Sequence, residues 1–319
     1  MFEINEYKAV RENGAGFFRF PSRGIIEVSG AEAVMFLNGL ITNDVAKLES
    51  YHWMAAAFPN AQGRLQALAR VLRLGDKYLF DTEAATYEKV LQNLSRFTLA
   101  GDFKVKDMTA DFSCVSVRGK NISNFKYKIP SENEIVEAKF IDENGFIIRA
   151  FRAEGFDVFV PKTQSENFTN ELKNLGAIPI SEETLEVLRV ENGEPKYNVD
   201  MDETTVVLET GLDEAVSFNK GCYIGQEIIA RIHFRGHVAK QLTGLILEEN
   251  AEIEPGDKLQ SSEGRDAGRI TSARFSPALG KFIALAYVRY DYLAEGIQLK
   301  VVHGESKYAA MVKNLPFVD

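Results

Sequence analysis

The sequence predicts an α+β protein of three lobes: two antiparallel sheets with helices, and a small C-terminal barrel or sandwich of strands. Three observations point to this. Between residues 52 and 97 the apolar pattern runs strand, strand, strand, helix. Between residues 112 and 193 strands again precede helices. Beyond Gly236, short apolar strands recur between regular turn signals. The boundaries this suggests are 1–110, 111–240 and 241–319.

Residues 17–28 read as two short extended pieces around Pro21. Ser29-Gly30-Ala31-Glu32 has capping-box spacing and predicts a helix starting just before Ala31. Ala33, Phe36, Leu37 and Leu40 give that helix an apolar stripe at i, i+3, i+4, i+7. The polar turn Thr42-Asn43-Asp44 ends it, and Asn43 and Asp44 either cap the next segment or face a ligand cleft. Strands are expected at 52–58, 65–74 and 78–81, with the turn 59–64 joining the first two. A helix is expected over 86–97 from the spacing of Tyr87, Val90, Leu91 and Leu94.

In the second lobe, strands at 112–118, 146–151 and 157–160 are separated by a poorly defined polar region, 119–138. A helix over 164–175 is followed by Ile178-Pro179-Ile180. Ser181 caps the next helix, with Glu182 and Glu183 in the first turn, where the dipole favours anions. Leu185 and Leu188 face inward, and Asn192-Gly193 closes the helix. Arg189 and Glu191 sit two apart near its end, so they do not share a face. One is then solvated and the other turned into a cleft, or both are solvated. The irregular stretch 194–219 carries Tyr197, Asp200, Asp202, Glu209, Asp213 and Glu214. Such a stretch is functional or disordered, and its acids are expected to form a solvated face. The last lobe has strands at 242–247, 267–272, 283–288 and 299–302.

Composition excludes several function classes. An apolar content of 45% with 26% charged residues is that of a soluble globular protein. A net charge of −9 disfavours general nucleic-acid binding. No basic segment precedes an apolar run at the start, and no apolar run approaches the roughly 20 residues of a membrane span, so neither signal peptide nor membrane partner is expected. Cys114 and Cys222 make no disulfide framework, which suggests a reducing cytoplasm. Nucleotide-loop and serine-elbow patterns are absent. His233 and His237 are four apart, but Gly236 weakens a helix there and no third ligand follows, so no metal site is expected. His52 and His303 read as ordinary solitary residues.

Chemistry concentrates in Lys220-Gly221-Cys222-Tyr223-Ile224-Gly225-Gln226-Glu227. A stretch built for packing would repeat apolar residues at a helical or strand period. This one brackets a thiol with glycines, which permit backbone angles and close approaches that a Cβ forbids. Lys220 lowers the Cys222 pKa if the two side chains converge. Otherwise Cys222 is a small buried hydrophobe.

Lys-Gly-Cys-Tyr-x-Gly-Gln-Glu resembles the signature of the YgfZ-type folate-binding proteins, relatives of the glycine-cleavage T-protein. Arg231-Ile232-His233, Arg235-Gly236, Arg189-x-Glu191-x-Gly193 and the Gly268–Ser272 run fit the same likeness. The resemblance implies a T-protein-like three-lobed α+β fold with a C-terminal β-barrel. It also implies a tetrahydrofolate site built from Arg189, Glu191, Tyr223, Gln226, Glu227 and Arg231. A pterin needs a flat slot with a carboxylate or amide, and its glutamate tail needs a cation. Against this, Glu227 and Arg231 form an i,i+4 pair if 225–232 is helical.

Two departures from the T-protein pattern stand out. Where T-proteins carry adjacent aspartates, one of them catalytic, this chain has Ala67 and Leu68, which transfer no proton. The T-protein Gly-Glu-x-Gly pattern appears as Arg152-Ala153-Glu154-Gly155, with its glutamate displaced or missing. The resemblance therefore implies a folate-binding accessory protein for assembly or repair of iron–sulfur enzymes. Cys222 and Lys220 are its acting residues, and its partners are iron–sulfur clients or assembly proteins. The alternatives are a folate-dependent aminomethyltransferase and a non-catalytic folate-binding scaffold.

Overall fold

The computed structural model describes residues 2–99, 101–119, 125–248 and 250–318. The chain divides into two compact units: 1–61, 66–185 and 214–226 form the first, and 62–65, 186–213 and 227–319 the second. In order, the elements are α1 (Ile4–Lys8), β1 (Gly16–Arg19), β2 (Arg23–Ser29), α2 (Ala33–Leu40), β3 (Trp53–Pro59), β4 (Leu65–Leu74), β5 (Lys77–Glu83), α3 (Tyr87–Ser95) and β6 (Lys104–Asp107). Next come β7 (Phe112–Arg118), β8 (Ile135–Phe140), β9 (Glu143–Arg149), β10 (Phe156–Pro161), α4 (Ser165–Asn174), β11 (Ile178–Pro179), α5 (Glu182–Glu191) and α6 (Gln226–Arg235). Six strands close the chain: β12 (Lys240–Leu247), β13 (Lys258–Gln260), β14 (Asp266–Ser276), β15 (Lys281–Arg289), β16 (Gln298–His303) and β17 (Ser306–Lys313).

The fold is α+β, as the sequence predicts. The first unit holds a five-stranded sheet in the order β3-β4-β5-β2-β6 and a six-stranded sheet in the order β11-β1-β7-β10-β9-β8. In the second, β12-β15-β14-β13-β16-β17 close into a barrel. Closure leaves no unpaired strand edge, which is how short strands become stable.

Several local expectations change. The Ser29–Glu32 capping box does not form: the Glu32 carboxylate accepts a hydrogen bond from Asp102 N at 2.8 Å, and α2 begins at Ala33. Strand β1, numbered with the first lobe, pairs antiparallel with β7 and parallel with β11, so residues 16–19 belong to the second sheet. Strand β6, Lys-Val-Lys-Asp, lacks an apolar alternation, and β13 is three residues long; neither leaves a readable signal. Strand β8 starts inside the polar region 119–138, of which residues 120–124 lie outside the described residues. His303 is not solitary: its Nδ1 lies 3.1 Å from Asp257 Oδ2, with Glu254 beside them in the second unit. Among the described residues no helix is long and apolar enough to cross a membrane.

The two sheets of the first unit are joined by buried charge. Arg23 of β2 and Arg70 of β4 both bind Asp81 of β5, each through Nε at 2.6 Å. Arg70 Nη1 also donates to Asp157 of β10 at 2.5 Å, where Arg118 Nη1 at 3.0 Å and Ser116 Oγ at 2.6 Å complete the set. Burial alone would raise the Asp157 carboxyl, but Arg118 and Arg70 outweigh it and hold it below the usual carboxylate range. Asp81 is lowered in the same way by Arg23 and Arg70.

Asp157→Asn should therefore destabilise the protein by about 3–5 kcal/mol, because the buried Arg118 guanidinium loses its counter-charge and Arg70 is left with Asp81 alone; urea unfolding measures it. Groups with lowered folded pKa values stabilise at pH above their unfolded value and lose that contribution in more acid solution. The wild type should weaken below about pH 4, and Asp157→Asn should flatten this acid limb.

Candidate functional site

The motif at 220–227 is shaped by the polar turn that ends α2. Thr42, wholly buried, donates from Oγ1 to Ala215 O at 2.6 Å and accepts from Ala57 N at 2.9 Å. Asn43 Nδ2 donates to Ala55 O at 2.8 Å and to Glu214 O at 2.9 Å. Ser217 N donates to Thr42 O and Ile224 N to Gly39 O. Residues 214–224 are thus a strap sewn along the end of α2. Asp44 caps the following turn by accepting from Ala46 N at 3.2 Å, so of the two readings of this segment capping holds for Asp44. Asn43 instead binds the strap.

Lys220 is the strap's anchor. Its ammonium donates to Ile41 O at 2.9 Å and Asn43 O at 2.5 Å, and lies 5.2 Å from the centre of the Tyr223 ring. Ile41 O, at the C-cap of α2, belongs to the carbonyls that a helix end leaves unpaired and is a natural acceptor for a cation. Burial pushes the Lys220 pKa down to about 8, against the opposing charge of Asp44. Burial likewise raises the Tyr223 phenol to about 12. Cys222 is exposed. Among the described residues no hydrogen bond joins Lys220 to its sulfur, so Lys220 positions the backbone that carries the thiol. Gly225, at φ 78°, supplies the left-handed turn into α6.

The same strap borders a cavity of about 550 Å³ within the first unit. Trp53 on one wall is 6% exposed, and among the described residues its buried indole N–H has no hydrogen-bond partner. Phe151 meets that ring edge-on at 6.3 Å between centroids. Arg152, with its backbone in the left-handed region at φ 50°, lies 5.8 Å from the Phe151 ring and forms a bidentate pair with Glu214 at 2.6 and 2.8 Å. Asn133 and Arg149 add polar groups to the lining. The lining joins aromatic rings to charged and polar side chains, Glu132 among them, a combination that suits a flat polar heterocycle.

None of the eight residues expected from the sequence lines this cavity. Lys220, Cys222, Tyr223 and Gln226 fall in the first unit, and Arg189, Glu191, Glu227 and Arg231 in the second. Arg189 is neither solvated nor open to a ligand: buried, it donates to Asp200 Oδ2 at 2.6 Å, Glu194 O at 2.7 Å, Ser272 Oγ at 2.9 Å and Glu186 Oε2 at 2.9 Å. Glu191, wholly buried, accepts from Ser276 Oγ at 2.6 Å. Both residues fasten the end of α5 to β14. Asp200, expected on a solvated face, is the buried hub of this network and also accepts from Thr271 Oγ1 at 2.6 Å. Glu227 and Arg231 are exposed on α6 and form no ion pair with each other among the described residues.

The signals for the cavity were the chain's single tryptophan and the departure at Arg152-Ala153-Glu154-Gly155, whose first two residues line it. Ala67 is wholly buried on β4, and neither it nor Leu68 carries a carboxylate.

Residues 2–220 match the model of the GCVT N-terminal domain, and residues 240–319 that of the glycine cleavage T-protein C-terminal barrel domain. The chain belongs to the glycine cleavage T-protein family. An aminomethyltransferase of Halothermothrix orenii is 27% identical over 99% of this chain and 91% of that protein. One from Rubrobacter xylanophilus is 29% identical over 98% of this chain and 85% of that protein. The crystal structure of glycine cleavage system aminomethyltransferase T from Bartonella henselae superposes with a TM-score of 0.89 at 21% identity, covering 98% of this chain and 89% of that one.

Thr42→Val keeps the shape of the side chain but leaves Ala57 N and Ala215 O without their partner, and should lower stability by about 1–3 kcal/mol in thermal or denaturant melts. Lys220 should lose its proton near pH 8, read from its side-chain nitrogen resonance and missing in Lys220→Met. Above that pH the unfolded chain holds a proton that the folded chain lacks, so this group adds stability as pH rises from about 8 towards the ordinary lysine value. A midpoint above about 10 would contradict the burial of this amine.

Proposed function

We propose that this protein binds a reduced folate in the cavity beside Trp53, Phe151 and Arg152. We further propose that it acts through the thiol of Cys222, as an accessory protein in the assembly or repair of iron–sulfur enzymes. One observation carries the reading: an exposed thiol on an anchored strap that also walls an aromatic cavity, in a chain with no carboxylate at Ala67 or Leu68. A pterin ring lies in the cavity against these aromatic side chains. Arg152 and Arg149 suit the folate carboxylates. Cluster ligation takes about four thiolates or equivalents, so Cys222 supplies one ligand and the client supplies the others. The iron–sulfur part rests on the Lys-Gly-Cys-Tyr-x-Gly-Gln-Glu resemblance.

A second reading, folate-dependent aminomethyl transfer, is favoured by the activity in the names of the relatives. It requires this chain to release ammonia from an aminomethyl-lipoyl carrier in the presence of tetrahydrofolate. No turnover at high protein concentration rules it out.

The folate reading is tested by titrating 5-formyltetrahydrofolate against the fluorescence of Trp53, the chain's only tryptophan. Quenching should saturate, and Arg152→Ala should weaken binding about 10- to 100-fold, as expected for one charged hydrogen-bonding group. Cys222→Ala should bind folate normally yet fail to restore an iron–sulfur enzyme in cells lacking the protein. Full rescue by that variant would remove the thiol from the mechanism.

A further inference from the structure

The Arg152–Glu214 pair connects two features that the proposed function leaves separate. Arg152 stands on the cavity wall, and Glu214 is the first residue of the strap that leads to Cys222. The guanidinium fork engages Glu214 through Nε and Nη2 at 2.6 and 2.8 Å. The two side chains are 26% and 42% exposed, and an ion pair this open to water contributes little by itself. An anion entering the cavity therefore has a weak competitor for Arg152. The backbone of Arg152 is held at φ 50°, a conformation that non-glycine residues rarely keep without a reason. It directs the side chain to Glu214.

Among the described residues, the strap from Glu214 is tied to the end of α2 and to the turn after it, where Ser217 N donates to Thr42 O and Lys47 Nζ to Asn219 O. Asn43 holds Glu214 O, Thr42 holds Ala215 O, and Lys220 holds the carbonyls of Ile41 and Asn43. The exposed thiol lies between the Lys220 anchor and the bond from Ile224 N to Gly39 O. A change at Glu214 thus reaches Cys222 along eight residues of the strap.

We propose that the Arg152–Glu214 pair is a latch: an anionic ligand in the cavity takes Arg152 from Glu214, loosens the strap and makes Cys222 more reactive. The identity of the ligand rests on the folate reading; the latch itself does not. It confines the reactive state of the thiol to the loaded protein.

The test is the rate at which a water-soluble maleimide labels Cys222, with and without 5-formyltetrahydrofolate. Cys114 is buried with its thiol pKa raised, and it stays unlabelled under these conditions. Binding is followed separately by calorimetry. In the wild type the ligand should speed labelling about two- to fivefold, the range expected for release of one exposed pair. Glu214→Gln should label at the fast rate without ligand, still bind it, and show no further response. The exchanged pair Arg152→Glu with Glu214→Arg should return the slow rate while losing the ligand's effect, which a merely loosened fold would not do. If ligand binds and wild-type labelling does not change, the latch is wrong and the folate reading stands. If no ligand binds, the folate reading fails; the latch then stands or falls on whether Glu214→Gln labels faster than wild type.

Discussion

The end of α2 sets what the rest of the first unit can do. A helix leaves its last carbonyls without partners, and here the following turn, Thr42-Asn43, turns those groups and two side chains toward a distant part of the chain. Lys220 caps the carbonyls of Ile41 and Asn43, while Thr42 and Asn43 hold the backbone of residues 214 and 215. Because these ties run to backbone atoms, they fix the path of the strap with little regard to its side chains. That leaves Cys222 and Glu214 available for chemistry on a segment that is otherwise well anchored.

Charge is buried in both units, and in each case an arginine or a hydroxyl answers it. In the first, Asp81 and Asp157 share Arg70 across the two sheets. In the second, Asp200 collects Arg189, Thr271 and Ser272. Breaking such a set leaves an uncompensated charge in a poorly solvated place, so these networks specify which strands and helix ends come together more than they add net stability. Arg189 and Glu191 illustrate the difference between family likeness and role. The resemblance implies that they touch a ligand, whereas their hydrogen bonds hold α5 against β14.

One of the two departures from the T-protein pattern falls on the wall of the proposed site. Alanine and leucine stand at the aspartate positions, and Arg152-Ala153 stands where the pattern has glycine and glutamate. An alanine at that wall position leaves room, and the arginine brings a cation paired to the strap.

Much of the architecture was legible from periodicity alone. The strands β3, β4, β5, β7 and β10, the helices α2 to α5 and the strand-rich last lobe each announce themselves through side chains two, three or four residues apart, because local burial on one face imposes that period. The glycine-bracketed thiol was also legible, since a packed segment would not carry that composition. Tertiary structure alone decided that β1 joins the second sheet. It also decided that Arg189 meets Ser272, 83 residues away, and that Asn43 meets Glu214, 171 residues away. It brought Trp53, Asn133 and Arg152 together around one cavity. Contacts at such separations depend on how whole elements pack, and no local repeat in the chain encodes them.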